Sequence, residues 1–203
     1  MSRLGKVVKS NSHCDYVVQV DDPLGSDCPP NADEYGFGSF VKIEDEMQGR
    51  HWAVGLVYNS QLFNPQFLSM GPRLSSDPDP LFSPDQIYET RTLLGTVLIG
   101  WLKQDGKKMY GIQSIPKVVV PINAEVSVMT EDEVHRFHRN EGDRPQFCYY
   151  SHLLRNGGTF AAQLLQQVLI DLMASPNFND SERRSLDLLC KELAWKNTMG
   201  AMR

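Results

Sequence analysis

Apolar and polar positions alternate over short runs through the first two thirds of the chain, and then switch to spacings of three and four. Alternation puts successive side chains on opposite faces of a strand, whereas three-and-four spacing draws one stripe along a helix. The pattern therefore predicts strands up to about Met129 and helices from Thr130 onward. "GKVV" and "YVVQV" flank the polar connector "KSNSHCD" as in a hairpin, and "SFVKIE" and "RHWAVGLVY" form a second pair joined by "DEMQG". In the last of these Trp52, Val54, Leu56 and Tyr58 share one face while Ala53, Gly55 and Val57 share the other, so one face is large and one small. "LLGTVLIGWL", Leu93 to Leu102, reads as a further buried strand, with Gly95 and Gly100 where a sheet curls on itself. "GIQSIPKVVVP" and "AEVSVM" supply the last strands, with Pro116 and Pro121 marking an edge or an interruption of the ladder. About six short strands followed by helices predict an α+β fold: a small closed β-barrel over 1–129 and a helical segment over 130–203.

One stretch fits neither period. Residues 61–86, "QLFNPQFLSMGPRLSSDPDPLFSPDQ", hold prolines at 65, 72, 78, 80 and 84, which exclude a central strand or a long helix. The same stretch carries Phe63, Phe67, Met70, Leu81 and Phe82 beside Arg73, too many apolar side chains for a solvated linker. It reads as an extended arm that packs over its own barrel or docks on a neighbouring subunit, with these six residues as its contact set.

The helical part predicts its own packing. Phe160, Leu164 and Val168 fall on one line and Ala161, Leu165, Leu169 and Met173 on the next, a wide stripe that must be buried. After "ASPNFND" a second helix begins near Asp180 or Ser181, with Leu186, Leu189 and Leu193 at helical spacing, and the two form an antiparallel hairpin. A lid over the barrel mouth is the economical place for that hairpin.

Composition narrows the partners. The net charge of −5 is opposite in sign to that of a freestanding phosphate-backbone binder, and between Asp21 and Gln48 eight acidic residues face the single base Lys42. Direct contact with nucleic acid is not expected. Cys14, Cys28, Cys148 and Cys190 lack short pairing, "MSRLGKVVKS" lacks an apolar secretory core, and the longest apolar run is about half of the roughly 20 residues a bilayer requires. A cytoplasmic protein without a membrane anchor is expected.

Three places invite chemistry. "FCYYSHLLRNGGTFAAQLLQQVL" reads as a possible strand, a turn through Gly157 and Gly158, and a helix, the order of a phosphate-gripping loop. Yet Thr159 and Phe160 stand where such a loop needs a lysine and a hydroxyl, so the glycines predict a plain turn with Thr159 as N-cap, and no cofactor. "TEDEVHRFHR" opens with Thr130 and Glu133 in capping-box spacing and sets His135 and His138 three apart, with Cys148 or His152 able to complete a metal set. That cluster is the basis of an alternative reading as a metal-dependent hydrolase, although a metalloprotease pair stands four apart around a glutamate, and no metal is expected. "HCD", His13 to Asp15, suggests a nucleophile and base, but neighbours on a strand point apart.

The succession "LGKVV", "YVVQV", "GSFVKIE", "GRHWAVGLVY" and a final strand pair resembles the HAS barrel, which precedes the motor in HerA-type DNA translocases and in ATP synthase catalytic subunits. "VYNSQLFNPQF", "GPRLS", "FSPDQIYET" and "ELAWKNTM" resemble, in this order, segments of stand-alone cyanobacterial-type HAS-barrel proteins. The resemblance implies a non-catalytic adaptor or assembly module, a homo-oligomer whose partners are a HerA-type ATPase and a NurA-type nuclease in DNA-end processing.

Overall fold

The computed structural model describes residues 3–22, 26, 28–45, 50–63, 91–106 and 108–201. Among them seven strands precede four helices: β1 (Arg3–Ser10), β2 (Asp15–Val20), β3 (Phe40–Asp45), β4 (Arg50–Phe63), β5 (Arg91–Asp105), β6 (Lys108–Ile112) and β7 (Glu125–Val128), then α1 (Glu131–Phe137), α2 (Tyr150–Asn156), α3 (Ala161–Ala174) and α4 (Asp180–Ala201). The strands run antiparallel in the order β2-β1-β7-β3-β4-β5-β6, and β2 also pairs with β5. That last pairing closes six strands into a barrel. The α+β fold with a closed barrel is the one the periodicity predicts.

β5 is long enough to serve two sheets. Its residues 93–97 lie against β2, and its residues 101–105 lie against β6 outside the barrel. The change of partner occurs at Gly100, where φ is +156° and a β-carbon would stand 2.2 Å from the Ile112 carbonyl oxygen. Only glycine allows that approach. Opposite it, Val54 pairs with Gly100 and Gly55 with Leu98, so Ile99 is a bulged residue that sharpens the bend.

Alternation along the strands gives the barrel two apolar surfaces. Leu4, Val18, Val41, Ile43, Ala53, Val57, Leu94, Leu98 and Val126 fill its interior. Phe40, Val54, Leu56, Val97 and Ile99 face outward and join Leu164, Leu165, Val168, Leu169 and Leu172 of α3 and Leu186 and Leu193 of α4 in a second cluster. The helices thus pack on the outer wall formed by β3, β4 and β5, not over a mouth as the sequence led us to expect. The mouths are closed by loops instead: Val120 and Ala124 enter the interior cluster at one end, and Tyr35 packs against it at the other. Trp52 departs from the expected face because Ile43 pairs with Ala53 and Glu44 with His51, which leaves Trp52 bulged and packed against the interior cluster.

The strand expected in "GIQSIPKVVVP" is realised only at Gly111 and Ile112, the end of β6. Pro116 and Pro121 lack the N–H groups a ladder needs, and the segment between β6 and β7 runs as a loop pinned by the Val120 N–H, which donates to the Tyr16 hydroxyl at 3.2 Å. His13 Nε2 donates to the Pro116 carbonyl at 2.7 Å, which ties the β1–β2 turn to this loop.

Lys42 joins the wall to α1. Its side chain is buried, and its ammonium lies 2.8 Å from Glu133 and 3.0 Å from Glu44. Glu133 is the capping-box residue the sequence predicts: its Oε2 accepts the Thr130 N–H at 2.9 Å, while Thr130 Oγ1 accepts the Glu133 N–H at 3.3 Å. Burial acts to raise the Glu133 carboxyl, but Lys42 and Thr130 outweigh it and hold it below the usual range.

Thr96 offers a direct check on the interior. It is fully buried, its hydroxyl finds no hydrogen-bond partner among the described residues, and its Cγ2 sits 2.5 Å from where a β-carbon of Gly55 would be. Valine keeps the shape and removes the stranded hydroxyl, so Thr96→Val raises the free energy of unfolding by about 1 kcal/mol in a urea titration. A loss of stability would contradict this packing.

Candidate functional site

Gly157 and Gly158 follow a helix rather than a strand. α2 occupies Tyr150–Asn156, where a possible strand was expected, and Gly157 caps it by donating its N–H to the Leu153 carbonyl at 2.7 Å. The N-cap of α3 falls on Phe160, with no side-chain capping bond, so Thr159 does not take the expected role. Gly158 has φ +71°, and a β-carbon there would lie 3.2 Å from the Tyr58 ring. The same ring lies over Gly95, whose β-carbon would be 3.0 Å away. Two glycines make room for one tyrosine. The Tyr58 hydroxyl donates to Asp15 at 2.8 Å, and burial, reinforced by Asp15, pushes the phenol up to about 12. The glycine turn docks α2 and α3 on the barrel.

The histidines are equally committed. His138 closes α1 and is buried. Its Nδ1 donates to the Val134 carbonyl at 2.7 Å, and its Nε2 accepts the Tyr149 hydroxyl at 2.8 Å. Phe40, Phe137, Phe147 and Phe178 surround the ring with centroids 5.5 to 6.1 Å away. Burial lowers its pKa to about 4 and raises that of Tyr149 well above the ordinary phenol value. His135 packs edge-on against Phe178 at 5.1 Å, and its Nε2 lies 3.4 Å from the Arg139 guanidinium. His152 donates from Nε2 to the Leu98 carbonyl at 3.0 Å and lies 3.2 Å from Asn156 through Nδ1. Three ligands must converge with free lone pairs to hold a zinc ion, and among the described residues no three His, Cys, Asp or Glu side chains do so. His135 and His138 stabilise the α1 end rather than open onto a shared site.

A cavity of about 260 Å³ lies beside this cluster, lined by His138, Gln146, Phe147, Phe178, Glu182 and Leu189 among others. Its charged groups are occupied. Glu182 pairs with Arg139 at 2.5 Å and, through its other oxygen, accepts the Asn179 N–H at 2.9 Å, while Asn179 Oδ1 accepts the Glu182 N–H at 3.0 Å. This second capping box starts α4 near the residue the sequence predicts. "HCD" is likewise structural: His13 is bonded to Pro116, Asp15 to Tyr58, and the Cys14 thiol is buried, which raises its pKa.

Of the expected contact set, Phe63 is described and Phe67, Met70, Arg73, Leu81 and Phe82 lie outside the described residues. Phe63 ends β4, paired with Arg91 at the start of β5. It is 43% exposed and its neighbour Leu62 85% exposed, on a hairpin that runs past the barrel wall. Arg91 pairs with Asp22, which ties this hairpin to the end of β2. The acidic stretch is partly neutralised there, because Arg3 binds Asp21 and Glu125, each at 2.9 Å.

The His138 pair predicts a pH dependence. Its pKa falls from the ordinary 6.5 to about 4 in the folded chain, so below pH 6.5 the unfolded state takes up a proton that the native state refuses. Stability is therefore complete above pH 6.5 and falls as the pH drops towards 4, by about 2 kcal/mol already at pH 5. Urea titrations at pH 7 and pH 5 should show this loss in the native chain and a smaller one in His138→Leu/Tyr149→Phe, which removes both polar partners. Equal losses would contradict the assignment.

No helix among the described residues is long and apolar enough to cross a membrane. No curated protein matches the chain. A family model described as a domain of unknown function (DUF8166) matches residues 1–203, and the chain belongs to that family.

Proposed function

We propose that this chain is a non-catalytic module that works by contact, assembling with itself and with protein partners in the cytoplasm. The partners proposed are a HerA-type DNA translocase and a NurA-type nuclease, with the barrel as adaptor between them in DNA-end processing. The observation that carries the reading is the pair Leu62 and Phe63, held out on a paired hairpin where the contact segment begins. A rigid strand pair presents an apolar anchor without the ordering cost of a loop.

Charge agrees with a protein partner. Asp33 and Glu34 are exposed in a 3-10 turn over the same end of the barrel, where they repel phosphate and attract a basic protein surface. Free thiols at Cys14, Cys28, Cys148 and Cys190 suit a reducing compartment.

Affinity capture from native extract tests the proposal. The full chain should recover the translocase or the nuclease, and Leu62→Asp/Phe63→Asp should recover less than about a tenth as much while keeping its circular dichroism. Recovery of neither protein, or equal recovery by the folded variant, would defeat the proposal.

A further inference from the structure

A cavity of about 300 Å³ opens between α2 and the loop that follows β6, and Ser114, Cys148, Ser151, His152, Arg155 and Asn156 form its polar side. That side is fixed from behind. Gln113 donates to the Phe137 and Gln146 carbonyls at 3.1 and 3.3 Å and accepts the Cys148 N–H at 2.6 Å. His152 donates from Nε2 to the Leu98 carbonyl, which leaves Nδ1 as its acceptor, and Asn156 donates to that nitrogen at 3.2 Å and to the His152 carbonyl at 3.0 Å. Three donors on the same side are unspent. The Ser114 and Ser151 hydroxyls and the Arg155 guanidinium make no hydrogen bond or ion pair among the described residues. Arg155 is the one lining side chain with a permanent charge, and no carboxylate lines the cavity among the described residues. Asp15, brought near the end of α2 by Tyr58, is spent on the Tyr58 hydroxyl at 2.8 Å and on Asn11 at 3.1 Å. In the 260 Å³ cavity, by contrast, the lining acid Glu182 is already paired.

We infer that this cavity binds a small carboxylic acid, with its carboxylate on Arg155 and the two serine hydroxyls and its apolar body against Ile99 and Ile115, the aliphatic side of the lining. The inference goes beyond the assembly reading and does not depend on it. An unpaired guanidinium offers a carboxylate two parallel charge-assisted hydrogen bonds, and hydroxyls can donate to the lone pairs these leave. One permanent positive charge balances a monoanion. The dianion of a phosphate monoester would keep excess negative charge at the site and calls for a second cation. The volume is at the small end of ligand clefts, which suits an acid of about ten non-hydrogen atoms and not a nucleotide.

Cys148 makes the site readable, because its exposed thiol belongs to the lining and the exposed Cys28 thiol does not. Benzoate is the probe, with benzamide as its neutral counterpart, phenyl phosphate as the dianion and sodium chloride to match ionic strength. Alkylation of the full chain by iodoacetamide, followed at each cysteine by mass spectrometry, should slow at least about fivefold at Cys148 in about 20 mM benzoate and stay unchanged at Cys28. Arg155→Gln, at an exposed position, should keep native circular dichroism and need at least about tenfold more benzoate for half protection. Ser151→Leu, which fills the cavity from another exposed position, should lose the protection as well. Equal slowing by benzamide or chloride, no slowing by either benzoate or the smaller propionate, or unchanged protection in folded Arg155→Gln overturns the inference. Tighter protection by phenyl phosphate would reassign the cavity to phosphate esters, and protection only by a peptide ending in a free carboxylate would assign it to a protein partner; each overturns the inference too.

Discussion

The wall formed by β3, β4 and β5 is apolar on both faces, and the rest of the structure follows from that. An ordinary small barrel buries one face of each strand and wets the other. Here Phe40, Val54, Leu56, Val97 and Ile99 on the outside are as buried as Val41, Ala53, Val57 and Leu98 on the inside. At about 2 kcal/mol for each buried apolar side chain, exposing those five outer groups would cost about 10 kcal/mol. That is comparable to the whole net stability of a typical domain. The helices are therefore part of the barrel's core. Lys42, set into the same wall and bonded to the Glu133 capping box, fixes where the first of them begins.

Much of this was legible in the sequence, for identifiable reasons. "HWAVGLVY" was legible as a strand with a large and a small face, and the wide stripe of α3 announced a large surface to cover; the structure buries both faces of that strand. Their match is the wall. Capping boxes are local chemistry, so Thr130 with Glu133 could be read directly, and the start of α4 could be placed within a residue. The glycines at 95 and 100 marked the curl of β5, although only the fold brings the Tyr58 ring over Gly95.

What failed were questions of long range. Alternation cannot tell which side of a wall a helix will cover, and so the helical hairpin was expected over a mouth. The single-residue bulge that turns Trp52 inward depends on register with β3, which no local pattern encodes. Three consecutive valines outweighed their flanking prolines, and the loop they form became visible as a surface only when Val119 stood exposed and Val120 buried. The histidine spacing suggested a site because spacing is silent about burial. In the fold His138 spends both nitrogens on neighbours within the core. With the helices on the wall and loops in the mouths, the hairpin bearing Leu62 and Phe63 and the β6–β7 loop bearing Val119 and Ile122 are among the apolar surfaces left exposed.

Native-state hydrogen exchange measures the dependence of barrel on helices most directly. If the wall needs its cover, the amides of Leu56 and Val97 in the strands and of Leu165 and Val168 in α3 exchange with the same opening free energy and the same denaturant dependence, because they unfold as one unit. Helical amides that exchange through a separate, lower-energy opening while the strand amides stay protected would contradict the account.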